Sequence, residues 1–327
     1  MDTRSLSKNN LIELLQQNFP IDYNLRNFYL YPFCNEYDFP KILDKLATTV
    51  AKQTDMLRVA ILFGESNFLS ILPELSIHAD VILLADIEPL MHKHTSHLLN
   101  CLNIANSREE FTNYYSINNP IEHYTNVTRT GISCGKTLDD LLKNIYHHQD
   151  LGNYHFYDNQ KRFNECKKSL KNLIISQINL NLFDEIKCNQ LSSLLRKNNA
   201  TISLCNFSNI HELDPDESKF IKSTSTLLHG IKDCFIMYTS RNWNPNRGAL
   251  LGTNLITGLN DFYRTALKNE KIKFDRKVTS IQFWYRRVRD ENLALKSIPD
   301  IKKSILAKNI WARRGKLEQQ VRPDPIG

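Results

Sequence analysis

Two nearly unbroken apolar runs, LRVAILF (Leu57–Phe63) and VILLA (Val81–Ala85), constrain this chain more than any other feature. A strand with one wet face alternates apolar and polar residues. A strand apolar throughout is buried on both faces, as in a parallel sheet covered by helices. Runs at Ile174–Leu182, Thr201–Cys205 and Cys234–Tyr238 read the same way. Amphipathic segments separate them, so helices are expected near Phe68–Leu75, Pro89–Ile104, Gln160–Leu173, Ile186–Asn198, Glu217–Ile231 and Leu250–Lys268. This alternation predicts an α/β fold with a doubly wound, mostly parallel sheet.

Both flanks of the alternation differ from it. Residues 5–18 carry an amphipathic pattern through Leu6, Leu11, Ile12, Leu14 and Leu15, with Ser5 or Ser7 as cap and Pro20 as stop. With a second helix at about 40–53, they make an N-terminal helical extension over 1–55. The α/β domain is expected over 56–290. A polar insertion at 105–157, rich in Asn, Tyr and His, fits no strand and would serve as a lid. After Lys268, KIKFDRKVTSIQFWYRRV alternates apolar with basic residues, which predicts a C-terminal antiparallel hairpin. A basic C-terminal helix and tail are expected over 291–327.

Charge is spread unevenly. The chain carries +7 overall, and Lys268–Gly327 alone holds 16 Lys/Arg against 7 Asp/Glu, so the remainder is slightly acidic. Such a section suits a phosphate, an acidic lipid surface or an acidic partner, or is simply a solvated surface. The 7 cysteines show no C-x-x-C spacing, which points to a reducing, cytoplasmic compartment and to buried small hydrophobes. Export into a host cell stays open. The opening MDTRSLSKNNLIELLQQNF has no apolar core of a signal peptide. No run reaches the ~20 apolar residues of a transmembrane segment. Abundant Asn, Ile and Lys with few Gly match the coding bias of an AT-rich bacterial genome.

In an open parallel sheet, ligands sit at the carboxyl ends of the strands. Those ends are Phe63-Gly64-Glu65-Ser66, Asp86-Ile87-Glu88, Phe183-Asp184 and Asn206-Phe207-Ser208-Asn209. Asp86 follows the glycine turn by about twenty residues, the offset at which a carboxylate accepts hydrogen bonds from ribose hydroxyls. Asp184 could take an exocyclic amine, and NFSN places amides and a hydroxyl where a reacting atom would lie. Plainer roles exist for each: Gly64 as a βα turn, Asp86 and Asp184 as helix caps.

This order of parts resembles the class I S-adenosylmethionine-dependent methyltransferases, over about Leu57–Val288. The resemblance implies a Rossmann-like fold with S-adenosylmethionine as cofactor. Phe63, Gly64 and Glu65 would then approach the methionine moiety, Asp86 the ribose and Asp184 the adenine. Asn206 through Asn209 would line the transfer region, with Asn206 and Asn209 orienting the nucleophile of an unidentified small-molecule or protein acceptor. Tyr157, Asp158 and Arg162, beside the insertion, would contact that substrate. The family's first loop is acid-x-Gly-x-Gly, whereas FGESNF has a single glycine. A binding protein that keeps the fold without the cofactor is the alternative.

Other patterns compete. GESNF approaches the nucleophile elbow G-x-S-x-G, with Ser66 as nucleophile, but Phe68 stands where the second glycine belongs. TGISCGKT approaches a phosphate-binding loop that would use Lys136, but Thr130 replaces the first glycine and the preceding EHYTNVTR is too polar for a buried strand. His94, His97 and Cys101 share a helix face at metal-ligand spacing, yet no HExxH accompanies them, and no metal is expected. His147, His148 or His155 could supply a general base. IQFWYRRVR interleaves rings with arginines, as nucleic-acid surfaces do and as outer strands also do, so nucleic acid is a possible but less favoured partner.

Overall fold

The computed structural model describes residues 3–23, 39–50, 54–63, 68–117, 154–208, 218–231, 234–244, 248–256 and 260–266. The chain divides into two units, Met1–Leu267 and Lys268–Gly327. All of the second unit, with the segment expected as a hairpin, lies outside the described residues.

In chain order the first unit runs α1 (Thr3–Asn18), α2 (Phe39–Thr48), β1 (Leu57–Phe63), α3 (Phe68–His78) and β2 (Val81–Asp86). It continues through α4 (Pro89–Ile104), α5 (Arg108–Ser116), α6 (Gln160–Asn172), β3 (Ile174–Asn179) and α7 (Glu185–Lys197). β4 (Ala200–Ser208), α8 (Ser218–Leu227), β5 (Phe235–Asn244) and β6 (Gly248–Ile256) complete it, before a short helix over 260–266. The strands form one sheet in the order β3-β2-β1-β4-β5-β6. β6 alone is antiparallel to its neighbour.

The two apolar runs behave as their composition requires. Along β1, Val59, Ile61 and Phe63 face one helical layer, while Ala60 and Leu62 face the other. Removing side chains of this size from water stabilises the fold by about 1.5–3 kcal/mol each. The first layer holds α7, α8 and α1, whose Leu11, Leu15 and Phe19 form a fully buried stripe at four-residue spacing. The second holds α3 to α6 and α2, which contributes Ile42, Leu43 and Leu46. The two N-terminal helices therefore cover opposite faces of the sheet.

Winding direction reverses once. From β1 the chain moves outward to β2 and β3 through helices of the second layer, then returns to β4, beside β1, through α7 of the first. The switch point thus lies between β1 and β4. At the opposite edge the Arg58 guanidinium and the Asp80 carboxylate meet at 3.1 Å, and the Arg58 amide donates to the same carboxylate at 3.0 Å, bracing the amino ends of β1 and β2.

Several boundaries differ from the sequence expectation. The helix expected over Leu250–Lys268 is β6 followed by the short helix at 260–266. β6 pairs with β5 along its whole length, from Asn244 opposite Gly248 to Ile236 opposite Ile256. β3 ends at Asn179 instead of Leu182, because Asn181 draws the chain into a turn: its side chain accepts from the Phe183 amide and its carbonyl from the Asp184 amide. The expected insertion begins with α5, whose Phe111 and Tyr115 are buried core. Its far end packs as well, with Phe156 buried and its amide bonded to Ser70 Oγ. Residues 118–153 lie outside the described residues.

Candidate functional site

The carboxyl edge of the sheet is built around the switch point. Ala85 pairs with Phe63 in the β1–β2 ladder, and Asp86 follows as the last residue of β2. On the other side of β1, Asn206 pairs with Leu62 and with Met237 of β5. Asp86 and Asn206 therefore flank the end of β1, one on the strand at each side of it. Each falls two positions after a leucine of the second layer, Leu84 and Leu204, so both belong to the same sheet face. Beyond Asn206 the β4–β5 register shifts, a bulge that re-aims the strand end.

Local bonds hold Asp86 in place. One carboxylate oxygen accepts from the Glu88 amide at 2.9 Å. Its carbonyl accepts from the Leu180 amide at 3.2 Å and lies 3.1 Å from His92 Nε2, the nitrogen that carries the proton in this contact. Burial keeps the His92 imidazole below its ordinary pKa, more than that carbonyl raises it. Directly after Asp86, Ile87 leaves 43% of its surface exposed at the strand end.

Asp184 stands at the same edge but in the other layer. It is the N-cap of α7, accepting from the Lys187 amide at 3.0 Å. The Phe63 ring is buried, 5.9 Å from that of Phe207, so this residue can meet a ligand only through its backbone. Gly64, Glu65, Ser66 and Asn209 lie outside the described residues, as do Lys136, His147, His148 and Ile281–Arg289.

The residues expected at the substrate are tied into the second layer. Tyr157 places its hydroxyl 2.6 Å from Thr112 Oγ1 and its ring under the Arg108 guanidinium. Asp158 is exposed, its carbonyl accepting from Arg108 at 2.8 Å and its carboxylate from Asn159 at 2.7 Å. Arg162 is a clamp between helices instead of a free cation: its side chain is 7% exposed and its donors face Glu74, Ser70 and Tyr154.

The histidine face of α4 serves packing. His94 Nε2 lies 2.8 Å from the Tyr115 hydroxyl, and His97 Nε2 lies 2.9 Å from the Tyr115 carbonyl. Cys101 Sγ is 3.7 Å from His97 Nε2. These contacts hold α5 against α4, and among the described residues no group of His, Cys, Asp or Glu is arranged to hold a metal. Cys101, Cys166, Cys188, Cys205 and Cys234 are free and buried. Burial pushes the Cys101 thiol to about 11 and those of Cys166 and Cys188 to about 12, which makes them poor nucleophiles.

The opposite edge of the sheet, away from the strands' carboxyl ends, holds a further feature. A cavity of about 700 Å³ opens between the amino ends of β1, β4 and β5, lined in part by Met56, Arg58, Arg196, Thr201, Ser203 and Phe235. Its sequence signal is weak, because its walls come from distant segments.

Fold and edge geometry together define an open, doubly wound α/β protein whose winding reverses between β1 and β4. No family model and no curated protein matches the sequence. Among solved structures, the chain is similar to two of the rRNA methyltransferase aviRa from Streptomyces viridochromogenes. One gives a TM-score of 0.34 at 11% identity, covering 66% of this chain and 79% of that one. The other gives 0.33 at 10% identity, covering 73% and 92%. Likeness of this extent says nothing of activity or substrate. Among the described residues, no helix is long and apolar enough to cross a membrane.

Proposed function

We propose that this chain is an S-adenosylmethionine-dependent methyltransferase whose centre lies at the carboxyl edge between β1 and β4. The switch point carries this reading. Connections leave β1 and β4 toward opposite layers, which opens a crevice at their ends, and Asp86 and Asn206 flank it on one face.

The side chains at hand fit such a ligand. A carboxylate with about four lone-pair sites is the kind of acceptor that ribose hydroxyls take, and the Glu88 amide holds that of Asp86 in place. Ile87, exposed beside it, offers an apolar surface for a purine ring. Asp184 accepts the adenine amine, and Gly64 and Glu65 meet the methionine end on sequence grounds. When bound, the cofactor supplies an activated methyl group. Asn206 and Asn209 orient the acceptor's nucleophile in line with that group, and positioning supplies most of the rate.

Calorimetry with S-adenosylmethionine and S-adenosylhomocysteine tests this. Saturable binding of either is expected. If neither binds at millimolar ligand, the enzyme reading fails and a cofactor-free binding protein takes its place.

A further inference from the structure

We infer that the cavity at the amino edge of β1, β4 and β5 is a second ligand site, built for a small amphipathic monoanion: a carboxylate on an apolar body. It lies at the other end of the strands from Asp86 and Asn206, so it stands whether or not methyl transfer does.

Size and walls set the body of the ligand. About 700 Å³ is within the roughly 300–1,000 Å³ typical of small-molecule pockets. Met56, Leu195, Ile202, Ile231 and Phe235 supply apolar lining. Filling such a space with hydrocarbon removes apolar surface from water on both sides.

Charge sets the head. Arg58, His78 and Arg196 line the cavity, and among the described residues no aspartate or glutamate does. Arg58 and His78 have their donors engaged. Arg58 donates to Asp80 at 3.1 and 3.2 Å and to the Ile77 carbonyl at 2.8 Å, while His78 Nε2 lies 2.8 Å from the Leu46 carbonyl. Arg196 differs. It ends α7, is exposed, and among the described residues no carboxylate or carbonyl pairs with its guanidinium. The guanidinium lies over Gly230, whose φ of +76° turns the chain after α8; a Cβ there would stand 3.9 Å from Nη1. An uncompensated planar donor group beside an apolar cavity matches a carboxylate head whose tail points inward.

Octanoate and octan-1-ol are the probes, titrated calorimetrically into the full chain. Octanoate should bind the wild-type protein, and Arg196→Gln should weaken it about tenfold or more while leaving octan-1-ol unchanged. Thr201→Phe, which fills the cavity from its β4 wall, should abolish both. Arg196 is exposed, so Arg196→Gln is expected to melt as the wild type does. No octanoate binding to the wild-type protein overturns the site. Octanoate binding equal in the wild type and both variants overturns it too, because the ligand then sits elsewhere.

Discussion

Arg162, near the start of α6, faces Glu74 of α3 in a two-point ion pair at 2.7 and 3.0 Å, with 7% and 6% of the two side chains exposed. Burial works against the arginine's charge, but hydrogen bonds and attraction from Glu74 outweigh it, and its pKa is raised. Removing one partner of such a pair strands a buried charge. Arg162→Met should therefore cost about 3–5 kcal/mol in urea unfolding, and adding Glu74→Leu should recover most of the loss. A single-variant cost under about 1 kcal/mol would show that the pair does not clamp the helices.

Other parts of the fold were legible to different degrees, for physical reasons. β1 and β2 could be read almost to the residue, because burial on both faces leaves Arg58 and Asp86, near the strand ends, as their polar positions. α5 was missed inside the polar insertion, although SREE (Ser107–Glu110) is a capping-box pattern followed by Phe111 and Tyr115 at helical spacing. β6 was misread because Leu250, Leu251, Leu255 and Ile256 suit a helix; the hairpin signal was NPNRG (Asn244–Gly248), which joins it to β5. Of the expected site residues, Asp86 and Asn206 fall beside the end of β1 because topology alone brings strand ends together. Sequence spacing does not reveal that Arg162 pairs with Glu74, 88 positions away.

Ser107 caps α5 by accepting from the Glu110 amide at 3.1 Å, and Glu110 returns a carboxylate to the Asn106 amide at 2.8 Å. Ser107→Ala should destabilise the protein by about 1 kcal/mol, whereas Ser107→Asp should stay near wild type. Equal melting of both variants and the wild type would mean that core packing of Phe111 and Tyr115 holds α5 without its cap.

Acid should weaken the fold through its imidazoles before its carboxylates. His92 and His97 both have pKa values lowered from 6.5, chiefly by burial. The unfolded chain therefore binds protons first. Stability from these residues is full above about pH 6.5 and is lost as pH falls below it, toward their folded values. Asp80 acts later: burial raises its pKa, but the Arg58 hydrogen bonds and charge bring it below 3.8, so its stabilisation fades only under stronger acid. Urea midpoints measured from pH 7.5 to 5 should fall for the wild-type protein and fall less for His97→Gln. Parallel curves for the two proteins would count against the His97 contribution.

Asp86 and Asp184 each hold a local amide, so a plain substitution confounds capping with ligand binding. Asp86→Asn keeps an oxygen for the Glu88 amide, and Asp184→Ser keeps a good N-cap for α7. Both variants should melt close to wild type. If the carboxylates hold S-adenosylmethionine, each variant should bind it roughly ten- to a hundredfold more weakly, the loss of one charge-assisted hydrogen bond. Asp86 ends β2 and Asp184 caps α7, beside different helical layers, so their effects need not be equal. A loss for Asp86→Asn alone would confine the ligand to the face it shares with Asn206. Unchanged affinity in both would leave a turn residue after β2 and a helix cap, with no cofactor contact at either.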